Sequence, residues 1–205
     1  MDLFAPDPAD NLLPRDGIAR YHGPVFPAAE ADRFFHELRD TVPWRHDEVV
    51  MFGKRVVTAR LVAWFGGEGL AYTYSGTTKQ PLPWTPALLE LKARVEPLAG
   101  ASFNSCLLNL YPSGQEGMGW HSDDESSIAR DSPIASLSFG AERRFVFKHK
   151  RDGDKVERVL EHGSLLVMAG STQRHWLHAL PKAARITTPR INLTFRVMQP
   201  QDSLL

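Results

Sequence analysis

The sequence predicts an α+β chain in which two helices come first and pack on one side of a jelly-roll core. Three observations carry this prediction. Helical spacing of apolar residues occurs at 27–42 and 85–95. From Ser102 onward short alternating runs dominate, as in strands. Gly, Pro and Asp separate those runs. Helices set apart from a series of strands give an α+β layering, and many short strands close as two facing sheets.

The elements follow in order. Residues 1–24 are rich in Pro, Asp and Gly and read as an N-terminal arm or loosely packed strand, ahead of a single domain over 25–200. Pro27 to Val42 reads as a helix: proline suits its first turn, and Phe34, Phe35 and Leu38 recur at helical spacing. Val49 to Phe52 runs into Gly53-Lys54, and Arg55-Val56-Val57 returns, which is a hairpin signal; hairpins are expected over about 45–76. Thr85 caps a second helix through about Val95, with Leu88, Leu89, Leu91 and Val95 on its buried side. Strands are expected at 103–111, 134–140, 144–149, 156–160, 164–169 and 190–198. There are no repeats and no low-complexity tract.

Composition narrows the function classes. At 205 residues and 42% hydrophobic, the chain can bury a sizeable core. Cys106 is the only cysteine, so no intramolecular disulfide can form. No run approaches the roughly 18 apolar residues of a membrane span. The N-terminal segment lacks the pattern of a secretory signal. A cytoplasmic protein that does not engage membranes, and a monomer, is the expectation. Net charge is zero, which argues against an indiscriminate nucleic-acid binder. Its distribution is uneven: residues 1–50 hold ten acids and five Lys/Arg, leaving 14 acids and 19 Lys/Arg in the rest. Residues 174–196 carry five Lys/Arg and no acid, and Arg143, Arg144, Lys148, Lys150, Arg151, Lys155 and Arg158 cluster nearby. Phosphate binding needs such local positive charge; a solvated hairpin is the ordinary alternative for the 150–155 loop.

The chemistry centres on His121, Asp123 and His178. Two imidazoles and a carboxylate are the facial ligand set of non-haem Fe(II), which leaves positions open for oxygen and a co-substrate. Residues i and i+2 of an extended segment point to one side, so His121 and Asp123 can share an ion. In Arg190-Ile191-Asn192-Leu193-Thr194-Phe195-Arg196 the alternation is strict, with Ile191, Leu193 and Phe195 on one face and Arg190, Asn192, Thr194 and Arg196 on the other. An isolated strand of this kind would most often turn its polar face to solvent. If the face points into the metal's cavity, two arginines flank a site suited to a small dicarboxylate. Asn109 and Tyr111 share a face of the 103–111 strand, and both can hydrogen-bond a carboxylate or keto oxygen.

Asn-x-Tyr, His-x-Asp, a late His and Arg-x5-Arg closing in Asn-Leu-Thr-Phe-Arg resemble the AlkB family of Fe(II)- and 2-oxoglutarate-dependent dioxygenases. Met51-Phe52-Gly53-Lys54, Leu70 to Gly76 and Ser132 to Ala141 add to the resemblance, which spans roughly 45–198 and looks closest to members that repair alkylated double-stranded DNA. It implies a double-stranded β-helix with Fe(II) in its open end, held by His121, Asp123 and His178. In the family pattern the last ligand precedes a small residue, Leu and Pro; His178-Ala179-Leu180-Pro181 fits, so His175 and Trp176 read as packing or supporting residues. The resemblance implies 2-oxoglutarate as co-substrate, its far carboxylate on Arg190 with help from Asn109 and Tyr111, and Arg196 and Thr194 nearer its other end. It implies oxidative demethylation of 1-methyladenine and 3-methylcytosine type lesions with O2, releasing succinate, CO2 and formaldehyde. The lesion would be flipped from a duplex, with Tyr72 stacking on it and Asp124 as a polar contact. Met51, Phe52 and Gly53 would form a hairpin tip that wedges into the base stack; Phe52 folded into the core is the alternative. Other readings are the same chemistry on single-stranded DNA, RNA or protein, and a non-catalytic nucleic-acid-binding β fold with a structural metal. An intact arginine pair argues against the last.

Overall fold

The computed structural model describes residues 10–51, 54–70, 72–74 and 77–199, with backbone alone for 47–51, 54–56, 72–74 and 77–79. Along the chain lie β1 (Ile18–Pro24), α1 (Ala28–Thr41), β2 (Arg45–Met51), β3 (Lys54–Gly66), β4 (Tyr72–Tyr74), β5 (Thr77–Lys79) and α2 (Pro86–Ala99). They are followed by β6 (Ser105–Tyr111), β7 (Met118–His121), β8 (Ile134–Gly140), β9 (Arg143–His149), β10 (Lys155–Leu160) and β11 (Ser164–Ala169). The short α3 (Thr172–His175), β12 (Trp176–Leu180) and β13 (Arg190–Arg196) complete it.

A seven-stranded antiparallel sheet, in the order β1-β11-β8-β13-β6-β3-β2, faces a four-stranded one, β10-β9-β12-β7. Strand β13 is central, bonded to β8 on one side and β6 on the other. Its alternation is used on both faces. Ile191, Leu193 and Phe195 are wholly buried against Phe34, Leu38, Leu88 and Leu91 of the two helices. Burying four or five side chains of this size contributes about 1.5–3 kcal/mol each. Arg190, Asn192 and Thr194 are buried too, on the opposite face, between the sheets. A second apolar cluster there, including Tyr111, Phe145, Phe147, Met168 and Trp176, holds the sheets together. The jelly roll with helices on one side is therefore the fold observed.

The helices form for the reasons read from the sequence. Pro27 precedes α1, and Phe34, Phe35 and Leu38 are buried. Thr85 Oγ1 accepts the Leu88 N–H at 3.3 Å, and α2 ends on Gly100 at φ 65°, the left-handed stop that glycine allows. Two details differ. Helix α2 continues four residues past Val95, and Leu89 is 48% exposed rather than buried, because it turns away from the sheet its neighbours cover. Of the N-terminal segment, Ile18–Pro24 is a strand paired with β11, and Ala19 and Tyr21 are fully buried. Strands β7 and β12 are short and were not anticipated from the alternation.

The basic cluster is not one surface. Arg143 is buried and donates to the carbonyls of Ser113, Glu116 and Pro181 at 3.2, 2.8 and 2.8 Å, so it holds loops and is withdrawn from phosphate. Arg144 pairs with Glu157, and Arg158 lies over Tyr21.

Candidate metal centre

Strands β7 and β12 pair with His178 opposite His121. That register brings the imidazole centroids to 4.2 Å. Asp123 lies just beyond the end of β7, and the ligand-capable atoms of the three residues lie within 4.8 Å of one another. His121 Nδ1 is 2.8 Å from the Gly119 carbonyl. A carbonyl only accepts, so Nδ1 carries the proton and the Nε2 lone pair is left for a cation. His178 is buried with Nδ1 unpartnered, and desolvation drives its pKa down to about 3, so the ring is neutral. Burial pushes the Asp123 carboxyl up, but Arg196, His178 and His121 together outweigh it and hold it below the ordinary value. A neutral His178 imidazole and an ionised Asp123 carboxylate are the forms in which these two groups ligate a metal. The donor set fits Fe(II).

A cavity between the sheets continues from this cluster, lined by Asn109 and Tyr111 of β6 and by Arg190, Asn192, Thr194 and Arg196 of β13. Arg190 Nη2 donates to Ser138 Oγ at 2.9 Å and Asn192 Oδ1 at 2.8 Å, and its guanidinium lies 5.5 Å from the Tyr111 ring. Its Nε is buried without a partner, as is Asn109 Oδ1. With neutral hydrogen-bond partners and burial, Arg190 has its pKa lowered to about 10. A buried cation with a spare N–H in a cavity fits a carboxylate. Arg196 Nη2 donates to Asp123 Oδ1 at 2.8 Å.

Sequence reasoning missed several members. Ser136 and Ser138 alternate with Leu137 on β8, and Ser136 Oγ lies 2.9 Å from Asn192 Oδ1. Gln173 Oε1 accepts the Asp123 N–H at 2.9 Å. The serines' own alternation was a usable signal; Gln173 gave none. Of His175 and Trp176, expected as packing or supporting residues, Trp176 is buried and packs, whereas His175 is exposed. Asp124 is exposed, with Oδ2 3.4 Å from Lys150 Nζ, and lines a second cavity of about 240 Å³ that shares Asp123 with the first. Met51 ends β2 and Tyr72 opens β4, both without described side chains; Phe52 and Gly53 lie outside the described residues.

A jelly roll holding a two-His, one-carboxylate cluster beside a buried arginine defines a non-haem iron oxygenase. The 2OG-Fe(II) oxygenase superfamily pattern matches residues 17–196, and the chain belongs to that superfamily. Within it the chain is a member of the AlkB family, a dioxygenase requiring Fe(II), 2-oxoglutarate and O2. It is 41% identical over 210 residues to mouse DNA oxidative demethylase ALKBH2, covering 97% of this chain and 87% of the relative. It is 45% identical over 181 residues to human alpha-ketoglutarate-dependent dioxygenase alkB homolog 3, covering 83% and 63%. The structure of OsALKBH1 has the same fold at 18% identity, with a TM-score of 0.59 over 90% of this chain and 98% of that one.

Proposed function

We propose that this chain is a DNA oxidative demethylase that removes N-alkyl groups of the 1-methyladenine and 3-methylcytosine type from a base flipped out of duplex DNA. The observation that carries the reading is the shared cavity: the metal-ligand set opens directly onto a buried arginine with an unused N–H. His121, Asp123 and His178 would hold Fe(II). Arg190 would take the distal carboxylate of 2-oxoglutarate, with Asn109 and Tyr111 on the facing strand. Arg196 and Thr194 would line the end nearer the metal, where Arg196 also fixes the Asp123 carboxylate. When bound, iron and 2-oxoglutarate supply the oxidation, consuming O2 and yielding succinate, CO2 and formaldehyde from the alkyl group. The protein supplies placement and a buried cavity. Its buried Arg190 and half-buried Arg196 orient a dianion before reaction, and the neutral His178 imidazole keeps its ligand position free of a proton.

Asp124, at the rim beside the larger cavity, would hydrogen-bond the flipped base, and Tyr72 would stack on it. Met51, Phe52 and Gly53 would fill the vacated place in the duplex; Met51 pairs with Lys54 on either side of Phe52-Gly53. The similarity to both ALKBH2 and alkB homolog 3 selects no strand preference, so duplex action rests on this tip. No helix of the described residues is long and apolar enough to cross a membrane. Action as a monomer in the cytoplasm belongs to the same proposal.

The test is turnover on methylated oligonucleotides, single- and double-stranded, with iron and 2-oxoglutarate each present or omitted. Formaldehyde release that needs both supports the reading, whereas 2-oxoglutarate consumption without change in the base overturns it. Phe52→Ala should weaken duplex repair much more than repair of the unpaired strand, with little change in melting temperature. Equal loss on both, with a stability loss of about 3–5 kcal/mol, would mean that Phe52 is a core residue.

A further inference from the structure

Outside the site above, a second group of metal-ligating side chains converges at one edge of the small sheet. The ligand-capable atoms of Asp16, His149 and His175 all lie within 4.8 Å of one another. They come from three places: the turn before β1, the end of β9, and the residue before β12. His149 is the fixed member, with a side chain only 3% exposed. Its Nε2 is buried and makes no hydrogen bond, yet lies 3.3 Å from Asp16 Oδ2. Its other nitrogen, Nδ1, accepts the Asp152 backbone N–H at 3.3 Å and lies 3.2 Å from Asp152 Oδ2. The Asp152 backbone thus fixes the ring and leaves Nε2 facing Asp16; a metal on Nε2 would move the ring proton to Nδ1, where Asp152 Oδ2 is close enough to accept it in place of the N–H contact. The His175 ring lies nearly parallel to that of His149, 6.4 Å between centroids, and forms no hydrogen bond among the described residues.

Local charge suits a cation. Arg15 Nη2 is taken up by Asp152 and Asp154 at 2.6 and 2.7 Å, and its Nε reaches Asp16 only at 4.0 Å. Arg151 also goes to Asp152. The Asp16 carboxylate is thus left for His149 and His175. Ligand atoms bound to one zinc at about 2.0–2.2 Å lie at most about 4.4 Å apart. Asp16 and His175 are exposed, so a small rotation of either side chain closes the remaining gap onto the immobile His149.

We propose that Asp16, His149 and His175 bind a second divalent transition-metal ion, of the Zn2+ type that mixed imidazole and carboxylate sets prefer. Asp152 orients His149, and the ion ties the segment before β1 to the edge of the small sheet, where Trp176 Nε1 already donates to the Arg15 carbonyl at 3.0 Å. The proposal is independent of the dioxygenase reading. The competing arrangement has no metal: Nδ1 keeps the Asp152 N–H and the Nε2–H faces Asp16.

The experiment is Zn2+ uptake by the metal-free full chain, measured by equilibrium dialysis with elemental analysis, alongside thermal midpoints with and without Zn2+. Wild type should take up two equivalents. His121→Ala should retain one, with a midpoint that still rises on adding Zn2+. His175→Ala should also retain one, and the double variant none, with no Zn2+-dependent rise. Asp16→Asn, an exposed change, repeats the His175→Ala result should that variant not fold. Uptake in His175→Ala and Asp16→Asn equal to wild type, or none in His121→Ala, overturns the site and leaves the metal-free contact of His149 with Asp16 as its explanation.

Discussion

Arg190 and Arg196 leave the same face of one strand, six residues apart, the first buried and the second with 14% of its side chain exposed, and their pKa values shift in opposite directions. Arg196 overcomes its desolvation through the Asp123 carboxylate, with help from Glu125, and its pKa is raised. Arg190 has only hydroxyl, amide and aromatic partners, and burial lowers its pKa. Burying a cation without an anion is costly. Arg196 thus has its anion built in through Asp123, whereas under the proposed function Arg190 would be completed by an anion that arrives with the co-substrate.

Four measurements would break or sharpen that comparison. The largest effect is expected from Asp123→Ala, which removes a proposed metal ligand and the partner of Arg196 together. Turnover should fall below detection, and the buried uncompensated guanidinium should cost about 3–5 kcal/mol in chemical denaturation; normal activity would refute both roles of Asp123. Next, Arg190→Ala should lose a charge-assisted contact of about 3 kcal/mol, raising half-saturation by 2-oxoglutarate about a hundredfold. An unchanged titration would remove Arg190 from the co-substrate. Arg196→Lys keeps the charge but loses the planar fork, so a fall in turnover of only about tenfold is expected, with co-substrate half-saturation little moved. A larger shift in half-saturation than for Arg190→Ala would reverse the assignment of the two ends. The effect that is smallest at neutral pH, where it is flat, concerns acid. His178 has a folded pKa near 3, below its unfolded value of 6.5, so the unfolded chain binds the extra proton between those values. Stability of the metal-free protein is therefore fully present above pH 6.5 and declines as pH falls toward 3, with a slope from this residue of at most about 1.4 kcal/mol per pH unit. Melting curves of His178→Gln, which lacks the titrating ring, should show a shallower decline over the same range.

Much of the site was legible because strand alternation is a local rule. The period-two pattern of 190–196 assigned Arg190, Asn192, Thr194 and Arg196 to one face before any fold was known, and that face lines the cavity. Asn109 and Tyr111 followed by the same rule. The network of Ser136, Ser138 and Asn192 was harder to see, since serines on a strand read equally well as solvated. Arg143 misled because a charged residue among other basic residues gives no local sign of being buried among carbonyls. Leu89 misled because three consecutive apolar positions on a helix cannot all face one sheet.

By itself, then, the sequence determined which residues could share a face, where the helices start, and which side chains have the chemistry of a metal and dicarboxylate site. These follow from backbone geometry and side-chain type within a few residues. Tertiary structure alone decided which faces meet. Placing His178 opposite His121 depends on the register of β12 against β7, and joining that pair to Arg190 depends on the large sheet closing over the small one. Pairing across the 56 residues of intervening chain between His121 and His178 is set by the packing of the whole core, which no local pattern encodes. The same closure brings Asp16 beside His149 and His175, a contact with no trace in the spacing of the three residues.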